Sequence, residues 1–380
     1  MIARSRLVAI AVAAVLVAGA ACQAHNREVA GRAAPAAGTR GFTLVASGDI
    51  LPHTAIIDRA RFDAGGKGYD FRPMFDGVRS VVSRADLALC HMETVYGENG
   101  EYTGYPLFKS PPEVARGVAS VGYDGCSTAS NHSLDDGAAG ILRTLNALDQ
   151  VRVRHAGTAR SVGEQRSVSV MRAGRAKVAQ LAYTYGVDFP LPPGQPWAVN
   201  LIDRKKIVED ARAARRGGAD VVVVSMHWGT EWQDAPDEDQ LDLARDLTAA
   251  RSGDRPDIDL ILGTHAHVPQ AYEKVNGTWV VYGMGDQVAG AMYNEQGVQD
   301  PRGNQSTLAR FRFEPPDRAG KRWEVTKAEY LPQLFDIDAG RVINLNRAIA
   351  KGAELQGVRD RIRQVVLSRG AADDGLAMGE

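Results

Sequence analysis

Several apolar runs in this sequence end at a residue that can bind a metal ion or carry a proton. In the segment DIDLILGTHAHVPQ, His265 and His267 follow such a run with Ala266 between them. Residues two apart in an extended chain point to the same side, so we expect both imidazoles to face one site. Five of the eight histidines belong to this pattern. The other apolar runs of this kind end at Asp49, at His91 and Glu93, at Asn131 and His132, and at His227.

These residue types, gathered at one place, predict a bound divalent cation. Buried carboxylates without a compensating charge cost several kcal/mol each, so a cluster of them needs a cation. A mixture of nitrogen and oxygen ligands suits zinc, manganese or iron better than calcium. With three cysteines in the chain, a structural zinc site built from thiolates is disfavoured.

Each residue also has a structural interpretation when it is taken alone. A single strand-end histidine is commonly a hydrogen-bonded structural group. Asp49 could cap the following helix, and Asn131 could shape a turn. Glu231, four residues after His227, could be a solvated acid in a loop. The combination of all of them at strand ends is what favours a metal site.

Other catalytic chemistries find less support in the sequence. There is no GxSxG nucleophile elbow and no GxxxxGK[ST] phosphate-binding loop. Cys90 or Cys126 could pair with His132 as a thiol nucleophile, but both cysteines follow apolar runs, which disfavours a reactive thiol. The same two cysteines could be free buried thiols, which is the slightly preferred interpretation, or a disulfide.

The elements that carry these residues alternate between helix and strand. Helical segments such as LIDRKKIVEDARAARRGG are followed by continuous apolar strands such as ADVVVVSMH. Continuous apolar strands separated by helical crossovers predict an α/β fold with mostly parallel strands buried on both faces and helices on the outside. The carboxyl ends of such strands share one edge, where open α/β sheets bind their ligands.

The chain divides into four segments. Residues 1–22 predict an export signal, because Arg4 and Arg6 precede an apolar stretch that ends at Cys22. A lipidated Cys22 would tether the protein to the outer face of the cytoplasmic membrane, whereas an ordinary cleaved secretory peptide is the alternative. Residues 23–41 predict a flexible tether, residues 42–335 a single domain, and residues 336–380 a C-terminal helical extension. The formal net charge of −1 gives no overall attraction to nucleic acid.

The motifs GDI, HME, ASNHSLDDG, HAGTA, LAYTYG, MHWGTEW, GTHAHVPQ and YGMGD occur in this sequence. In their types and order they resemble the CapA-type poly-γ-glutamate (capsule) synthesis proteins, over roughly residues 42–335. The resemblance implies a metallophosphatase-like layered fold related to calcineurin-type phosphoesterases. It implies that His132 acts as a proton donor oriented by Asp135. It also implies a metal shell made of Asp49, Glu93, Asn131, His227, His265 and His267.

The sequence departs from the family pattern at three places. His91 stands where the family usually has asparagine, and it is expected either to join the metal shell or to replace an amide hydrogen bond. Asp286 follows Gly285 where the family usually has Gly-Asn. Leu51 stands where calcineurin-type enzymes have a histidine, and His53 lies further along the same loop. One or two divalent ions are expected, and these departures count against the second ion more than against the first.

Three functions follow from these features. The first is an exported metal-dependent hydrolase of cell-envelope or capsule polymer biosynthesis, in which a metal-activated water attacks a phosphoester or an amide. The second is a non-catalytic capsule assembly or export factor that retains the fold. The third, a solute-binding lipoprotein, is disfavoured because no second lobe is visible. The expected partners are an envelope polymer or phosphoester, the membrane through the lipid anchor, and capsule-synthesis membrane proteins.

Overall fold

The computed structural model describes residues 41–294, 296–318 and 321–380. The predicted signal of residues 1–22, with Cys22, and the predicted tether up to residue 40 lie outside the described residues, so both stay predictions. In the part of the chain that is described, no helix combines the length and apolar character needed to cross a membrane.

The strands include long, fully buried runs, and helices separate several of them. The all-buried run VVVVSMH shows why, since β-branched residues favour a strand and an uninterrupted apolar run suits one covered on both faces. In chain order the strands are β1 (Phe42–Ile50), β2 (Leu87–Met92), β3 (Val95–Tyr96), β4 (Lys109–Ser110), β5 (Gly125–Ser127), β6 (Arg154–Ala156), β7 (Ser169–Ala173), β8 (Ala176–Thr184), β9 (Val221–His227), β10 (Arg251–Ser252), β11 (Arg255–Pro256), β12 (Leu260–Thr264), β13 (Tyr272–Val275), β14 (Thr278–Val281), β15 (Asp286–Val288), β16 (Gln305–Glu314), β17 (Glu324–Asp336), β18 (Arg341–Asn344) and β19 (Leu376–Met378).

Two of the helices begin at an aspartate whose side chain caps the free backbone N–H groups. The carboxylate of Asp203 accepts a hydrogen bond from the Lys206 N–H at the start of one helix, and Asp237 and Gln240 form a capping box at the next. In chain order the helices are α1 (Thr54–Asp63), α2 (Asp76–Val82), α3 (Glu113–Val121), α4 (Gly137–Gln150), α5 (Val162–Gln165), α6 (Arg204–Arg216), α7 (Glu238–Ala249), α8 (Leu345–Ala350) and α9 (Gln356–Val366). Short 3₁₀ turns lie at Arg72–Phe75, Asn131–Leu134 and Pro301–Asn304.

The described strands form two large sheets and two short ribbons. The first sheet has nine strands in the order β18-β17-β16-β1-β2-β5-β6, with β15 beside β1 and β19 beside β17. The second has six strands in the order β13-β14-β12-β9-β8-β7. In the second sheet, β14, β12, β9 and β8 pair in parallel, and the outer strands β13 and β7 are antiparallel. In the first sheet, β1, β2, β5 and β6 are parallel, whereas β16, β17 and β18 are antiparallel.

The two sheets pack face to face with helices on their outer faces. Leu44 and Phe311 of the first sheet and Val223 and Leu260 of the second belong to the apolar layer between the sheets. A second apolar layer joins the first sheet to α1, α2 and α3, and a third joins the second sheet to α6 and α7. The predicted layered α/β sandwich is therefore confirmed.

Residues 336–380, predicted as a helical extension, contain two short helices and also two strands. β18 pairs with β17 in antiparallel orientation, and β19 pairs with β17 in parallel orientation. Ile362 and Val366 of α9 are buried in the apolar layer between the sheets. The extension is thus part of the first sheet and of its core.

Cys90 and Cys126 form a disulfide. They lie opposite each other on the neighbouring parallel strands β2 and β5, with the Cα atoms 4.4 Å apart. The slightly preferred interpretation of free thiols is therefore wrong, because the strand pairing that brings the two residues together is not visible in the sequence.

Candidate metal centre

The polar strand-end residues meet at one edge shared by the two sheets. In the first sheet, Asp49 at the end of β1 lies opposite His91 of β2 and opposite Asp286 of β15. In the second sheet, His227 at the end of β9 lies opposite Thr264, the last residue of β12. This is the edge that the carboxyl ends of parallel strands are expected to share.

The close approach of β1 to the segment that precedes β15 requires glycine at position 48. A Cβ atom added to Gly48 would lie 1.8 Å from the carbonyl oxygen of Gly285. The next residue, Asp49, donates its backbone N–H to that same carbonyl at 3.1 Å. The glycine therefore lets the strand carrying Asp49 come directly against the segment carrying Asp286.

The first group of candidate ligands is Asp49, His91, Glu93 and His227, whose ligand atoms all lie within 4.8 Å of one another. His227 Nε2 is 3.3 Å from Glu93 Oε1, and His91 Nε2 is 3.8 Å from Asp49 Oδ1. The rings of His91 and His227 are stacked with their centroids 4.7 Å apart. All four side chains are buried. His91 thus lies in this group of candidate ligands, and its role as a metal ligand stays a prediction.

Two further groups share residues with the first. Glu93, His265 and His267 form one, and Asp49, His267 and Asp286 form the other, each with its ligand atoms within 4.8 Å. Because Asp49 and Glu93 each belong to two groups, the cluster can hold one ion or two neighbouring ions. The Nδ1 atom of His91 contacts Ser127 Oγ at 2.8 Å, so its Nε2 is left to face the cluster.

The expected extended conformation around His265 and His267 is wrong. β12 ends at Thr264, and the φ angles of His265 and His267 are 94° and 57°. Non-glycine residues rarely adopt positive φ, and such backbone is concentrated at functional sites. The strained turn still brings both imidazoles to the cluster, with ring centroids 6.0 Å apart, and the His265 N–H donates to Asp49 Oδ2 at 3.2 Å.

Buried ligand atoms without a hydrogen-bond partner test whether this cluster fits a metal ion. A buried polar atom left unpaired costs about 1–3 kcal/mol, and several such atoms within one cluster are unusual. Imidazole nitrogen and carboxylate oxygen are the ligand types that zinc, manganese and iron accept. The residues therefore fit a divalent cation. The unpaired atoms are Asp49 Oδ1, His91 Nε2, Glu93 Oε1 and Oε2, His265 Nδ1 and Asp286 Oδ2.

The pKa shifts of the cluster side chains also favour a bound cation. Burial, together with the nearby charges of Glu93 and Asp286, raises the pKa of Asp49 well above its usual value. Burial raises the pKa of Asp286 to about 6 and lowers the pKa of His91 to about 3. Burial also lowers the pKa of His227 and of His265. Low pKa values keep the imidazoles of His91, His227 and His265 neutral, which is the form that binds metal. Burial also lowers the pKa of His267, but the charges of Asp286 and Glu93 outweigh it, so its net shift is upward.

His132 and Asp135 form a pair beside the cluster. His132 Nδ1 lies 2.8 Å from Asp135 Oδ2, and this oxygen also accepts the backbone N–H of Phe108 at 2.6 Å. The ring of Phe108 packs edge-on against the His132 ring, with centroids 4.7 Å apart. Burial lowers the pKa of His132, but the hydrogen bond and charge of Asp135 and the charge of Glu93 outweigh it, so the net shift is upward. A protonated His132 is therefore favoured.

Asn131 connects the cluster to this pair. Its Oδ1 is 3.0 Å from His227 Nε2, and its Nδ2 donates to Asp188 Oδ2 at 3.2 Å. Ser130 and Ser133 form a capping box that fixes the 3₁₀ turn carrying Asn131 and His132. The structure thus brings together every residue named for the metal shell and the proton donor. The roles of these residues stay predictions.

Four further residues lie at or beside the site. Asp286 is buried and lies 3.0 Å from His267 Nδ1 through its Oδ1, and its position after an apolar strand was a usable signal. Glu231 Oε1 lies 3.9 Å from His267 Nε2, so the solvated-loop interpretation is incomplete. Asp188 Oδ2 lies 3.6 Å from His132 Nδ1, and its loop carries no pattern that marks it. His53 packs edge-on against Phe108, with ring centroids 5.1 Å apart.

We expect the variant Asp286→Asn to weaken divalent metal binding by about 10- to 100-fold, as loss of a carboxylate behind a metal-binding histidine commonly does. Asp286 contacts Nδ1 of His267, which fixes the ring within the group that His267 forms with Glu93 and His265. The measurement is the metal dissociation constant, obtained by competition with a chelator. The control is Asp58→Asn on the exposed face of α1, and an affinity equal to that of the parent would contradict the role.

This chain is similar to proteins named for capsule or PGA biosynthesis. The sequence profile described as "Bacterial capsule synthesis protein PGA_cap" matches residues 43–291. A capsule biosynthesis protein CapA of Bacillus anthracis is 26% identical over 180 residues, covering 46% of this chain and 42% of the relative. A PGA biosynthesis protein CapA of Bacillus subtilis is 29% identical over 165 residues, covering 43% of this chain and 41% of the relative. The chain thus spans about two-fifths of the length of these curated relatives.

Solved structures similar to the chain include phosphatases. A phosphatase of Mycoplasma pneumoniae has a TM-score of 0.46 and 14% identity, covering 78% of this chain and 94% of that one. A calcineurin-like phosphoesterase of Bacillus subtilis has a TM-score of 0.40 and 14% identity, covering 85% of this chain and 99% of that one.

Proposed function

The chain belongs to the bacterial capsule synthesis protein family PGA_cap, and we propose that it is a metal-dependent hydrolase acting in the biosynthesis of a cell-envelope polymer. The bond cleaved is a phosphoester or an amide. The single observation that carries the proposal is the cluster of buried, unpaired ligand atoms lying next to a histidine held by a carboxylate. A cluster of this kind supplies both a metal site and a proton donor.

The metal would be held by buried side chains from both sheets. A bound divalent cation supplies Lewis acidity, which lowers the pKa of water and polarises a phosphoryl or carbonyl oxygen. Neutral imidazoles of the cluster present nitrogen lone pairs, and the carboxylates of Asp49 and Glu93 offset the charge of the cation. The residues that would hold it are Asp49, His91, Glu93, Asn131, His227, His265 and His267, with Asp286 behind His267.

In this proposal His132 gives a proton to the leaving group. Asp135 binds the Nδ1 side of the ring, which leaves the proton on Nε2 available for donation. As the bond to phosphorus or to the carbonyl carbon breaks, this proton passes to the leaving oxygen or nitrogen. Phe108 packs against the ring and shields that side from water, and its backbone N–H holds Asp135 in place.

We also propose that the protein is exported and tethered by a lipid on Cys22 to the outer face of the cytoplasmic membrane. The sequence of residues 1–22 supports this, as does the disulfide between Cys90 and Cys126, because disulfides persist mainly in oxidising compartments. Capsule-synthesis membrane proteins are the proposed partners at that surface.

A second candidate function is a non-catalytic factor in polymer assembly or export. It is favoured by the name of a relative in Mycobacterium tuberculosis, "Probable polyglutamine synthesis accessory protein", which is 24% identical over 217 residues. That match covers 53% of this chain and 55% of the relative. In this function the metal site would stabilise the fold or bind the polymer without cleaving it.

The test of the proposed function is turnover by the purified full chain on phosphomonoesters, phosphodiesters and γ-glutamyl amides. We expect hydrolysis of one of these classes that stops on chelation and returns when manganese or zinc is added. Glu93→Gln should abolish it, whereas His155→Ala should not, because His155 pairs with Asp149 outside the cluster. A chain that binds metal but cleaves none of the three classes would favour the assembly factor instead.

A further inference from the structure

Two motifs have residues that the proposed chemistry does not use. LAYTYG places Tyr185 over the cluster, with its ring centroid 4.5 Å from that of His265 and about half of the residue, 51%, exposed. HWGTEW places Trp232 6.0 Å from the His267 ring. Both rings therefore lie between the buried ligands and solvent.

The backbone holds both aromatic residues in place. The N–H of Tyr185 donates to the His227 carbonyl at 2.9 Å, and the N–H of Trp232 donates to the Ala266 carbonyl at 2.9 Å. The φ angle of Trp232 is 65°, a left-handed conformation that is unusual for a bulky residue. Strain of this kind is concentrated at ligand-binding positions. The backbone thus fixes Trp232 beside the cluster, where its partly buried ring packs against the apolar group that contains Phe108 and Met292.

Two carboxylates stand beside these rings. Asp188 accepts a hydrogen bond from Asn131, and Glu231 lies near His267, yet their side chains remain 44% and 39% exposed. Their remaining oxygen atoms are available to hydrogen-bond donors from a ligand. We call Tyr185, Asp188, Glu231 and Trp232 the outer rim.

Cations near the outer rim are already paired with acids. Arg302 and Arg361 both contact Asp234, and Arg302 also contacts Asp300. Lys109, next to Phe108, lies 3.9 Å from Asp136. Among the described residues, the ion pairs of the rim carboxylates are with histidines. An anionic polymer would therefore meet the rim carboxylates, while the cations named here are occupied by other acids.

We propose that the outer rim binds a neutral, hydroxyl-bearing ring, so that the substrate of the proposed hydrolase is a sugar-containing phosphoester or amide rather than a polyanion such as poly-γ-glutamate. The inference rests on the proposed function for the bond that is cleaved. Aromatic faces pack against the apolar face of a sugar ring, and carboxylates accept strong hydrogen bonds from its hydroxyl groups. Two exposed carboxylates select against an anionic competitor by like-charge repulsion.

An ammonium-bearing ligand fits the outer rim less well than a sugar. Asp188 and Glu231 each face a histidine, and the adjoining cluster is built to hold cations. A ligand cation would compete for the same negative charge, whereas a hydroxyl group adds a hydrogen bond without adding charge.

The test compares binding by the full chain of a short neutral chitin oligosaccharide, a γ-linked oligoglutamate of equal length and an oligolysine of equal length, using calorimetry in the presence of manganese. We expect the oligosaccharide to bind most tightly of the three. Tyr185→Ala and Trp232→Ala should each weaken its binding by about 10-fold. Glu231→Gln should weaken it by about 3- to 10-fold. The control is Phe62→Ala, a 74% exposed aromatic residue on α1, which should leave binding unchanged.

The outcomes separate this inference from the proposed function. Tighter binding of oligoglutamate or oligolysine, or no binding of the oligosaccharide, would overturn the inference even if phosphoesters or amides are hydrolysed. Oligosaccharide binding that the Tyr185 and Trp232 variants do not alter would also overturn it. Specific oligosaccharide binding without turnover on any substrate would support the rim assignment and contradict the hydrolase.

Discussion

Replacing His132 by alanine is expected to lower turnover by about 10²- to 10⁴-fold, the usual contribution of a positioned general acid. The metal content of the cluster should not change, because His132 contacts Asp135 and belongs to none of the overlapping groups that contain Asp49 and Glu93. The leaving group would then depart without a proton from the protein. A leaving group that needs no protonation, such as a nitrophenolate, should therefore lose much less rate than an alkyl ester.

The comparison of two variants separates catalysis from folding. His132→Ala leaves the buried carboxylate of Asp135 without its imidazole partner, which can destabilise the turn Asn131–Leu134. His132→Asn retains an amide donor for Asp135 but has no acidic proton, so it should be folded and equally slow. His155→Ala, which removes a histidine paired with Asp149, serves as the matched control. Full activity in His132→Asn would show that another group donates the proton.

The double variant His265→Ala/His267→Ala is expected to reduce bound metal from about one or two ions per chain to nearly none. Both residues belong to the group that contains Glu93, and His267 also belongs to the group of Asp49 and Asp286. The change therefore removes ligands from two of the overlapping groups at once. Alanine should be accepted at both positions because the adjoining strands are held by their own cores, although the positive φ angles remain strained.

Much of the site was predictable because parallel strands impose its geometry. Each apolar run that ends at a polar residue places that residue at the carboxyl edge of a sheet, so Asp49, His91 and His227 could be assigned to one site from order alone. The number of residues that separate Asp49, His91 and His227 in the chain did not matter, since strand pairing brings them together. The family resemblance supplied the role of His132, which spacing alone could not.

The features of the site and fold that the sequence could not predict depend on loop conformation and on which strands pair. Asp188 reaches His132 from an irregular segment after β8, where no periodicity constrains the direction of a side chain. His265 and His267 lie in a turn with positive φ, so the two-residue spacing did not describe their backbone. Which strands lie side by side decided the disulfide of Cys90 and Cys126.

The most direct test of the metal centre is elemental analysis of the purified full chain beside the His265→Ala/His267→Ala variant. We expect manganese, zinc or iron at about one or two equivalents in the parent and almost none in the variant, with both chains folded by circular dichroism. His155→Ala should retain the metal of the parent. A folded parent that holds no divalent metal, and takes up none when it is offered, would contradict the metal centre and favour the assembly factor.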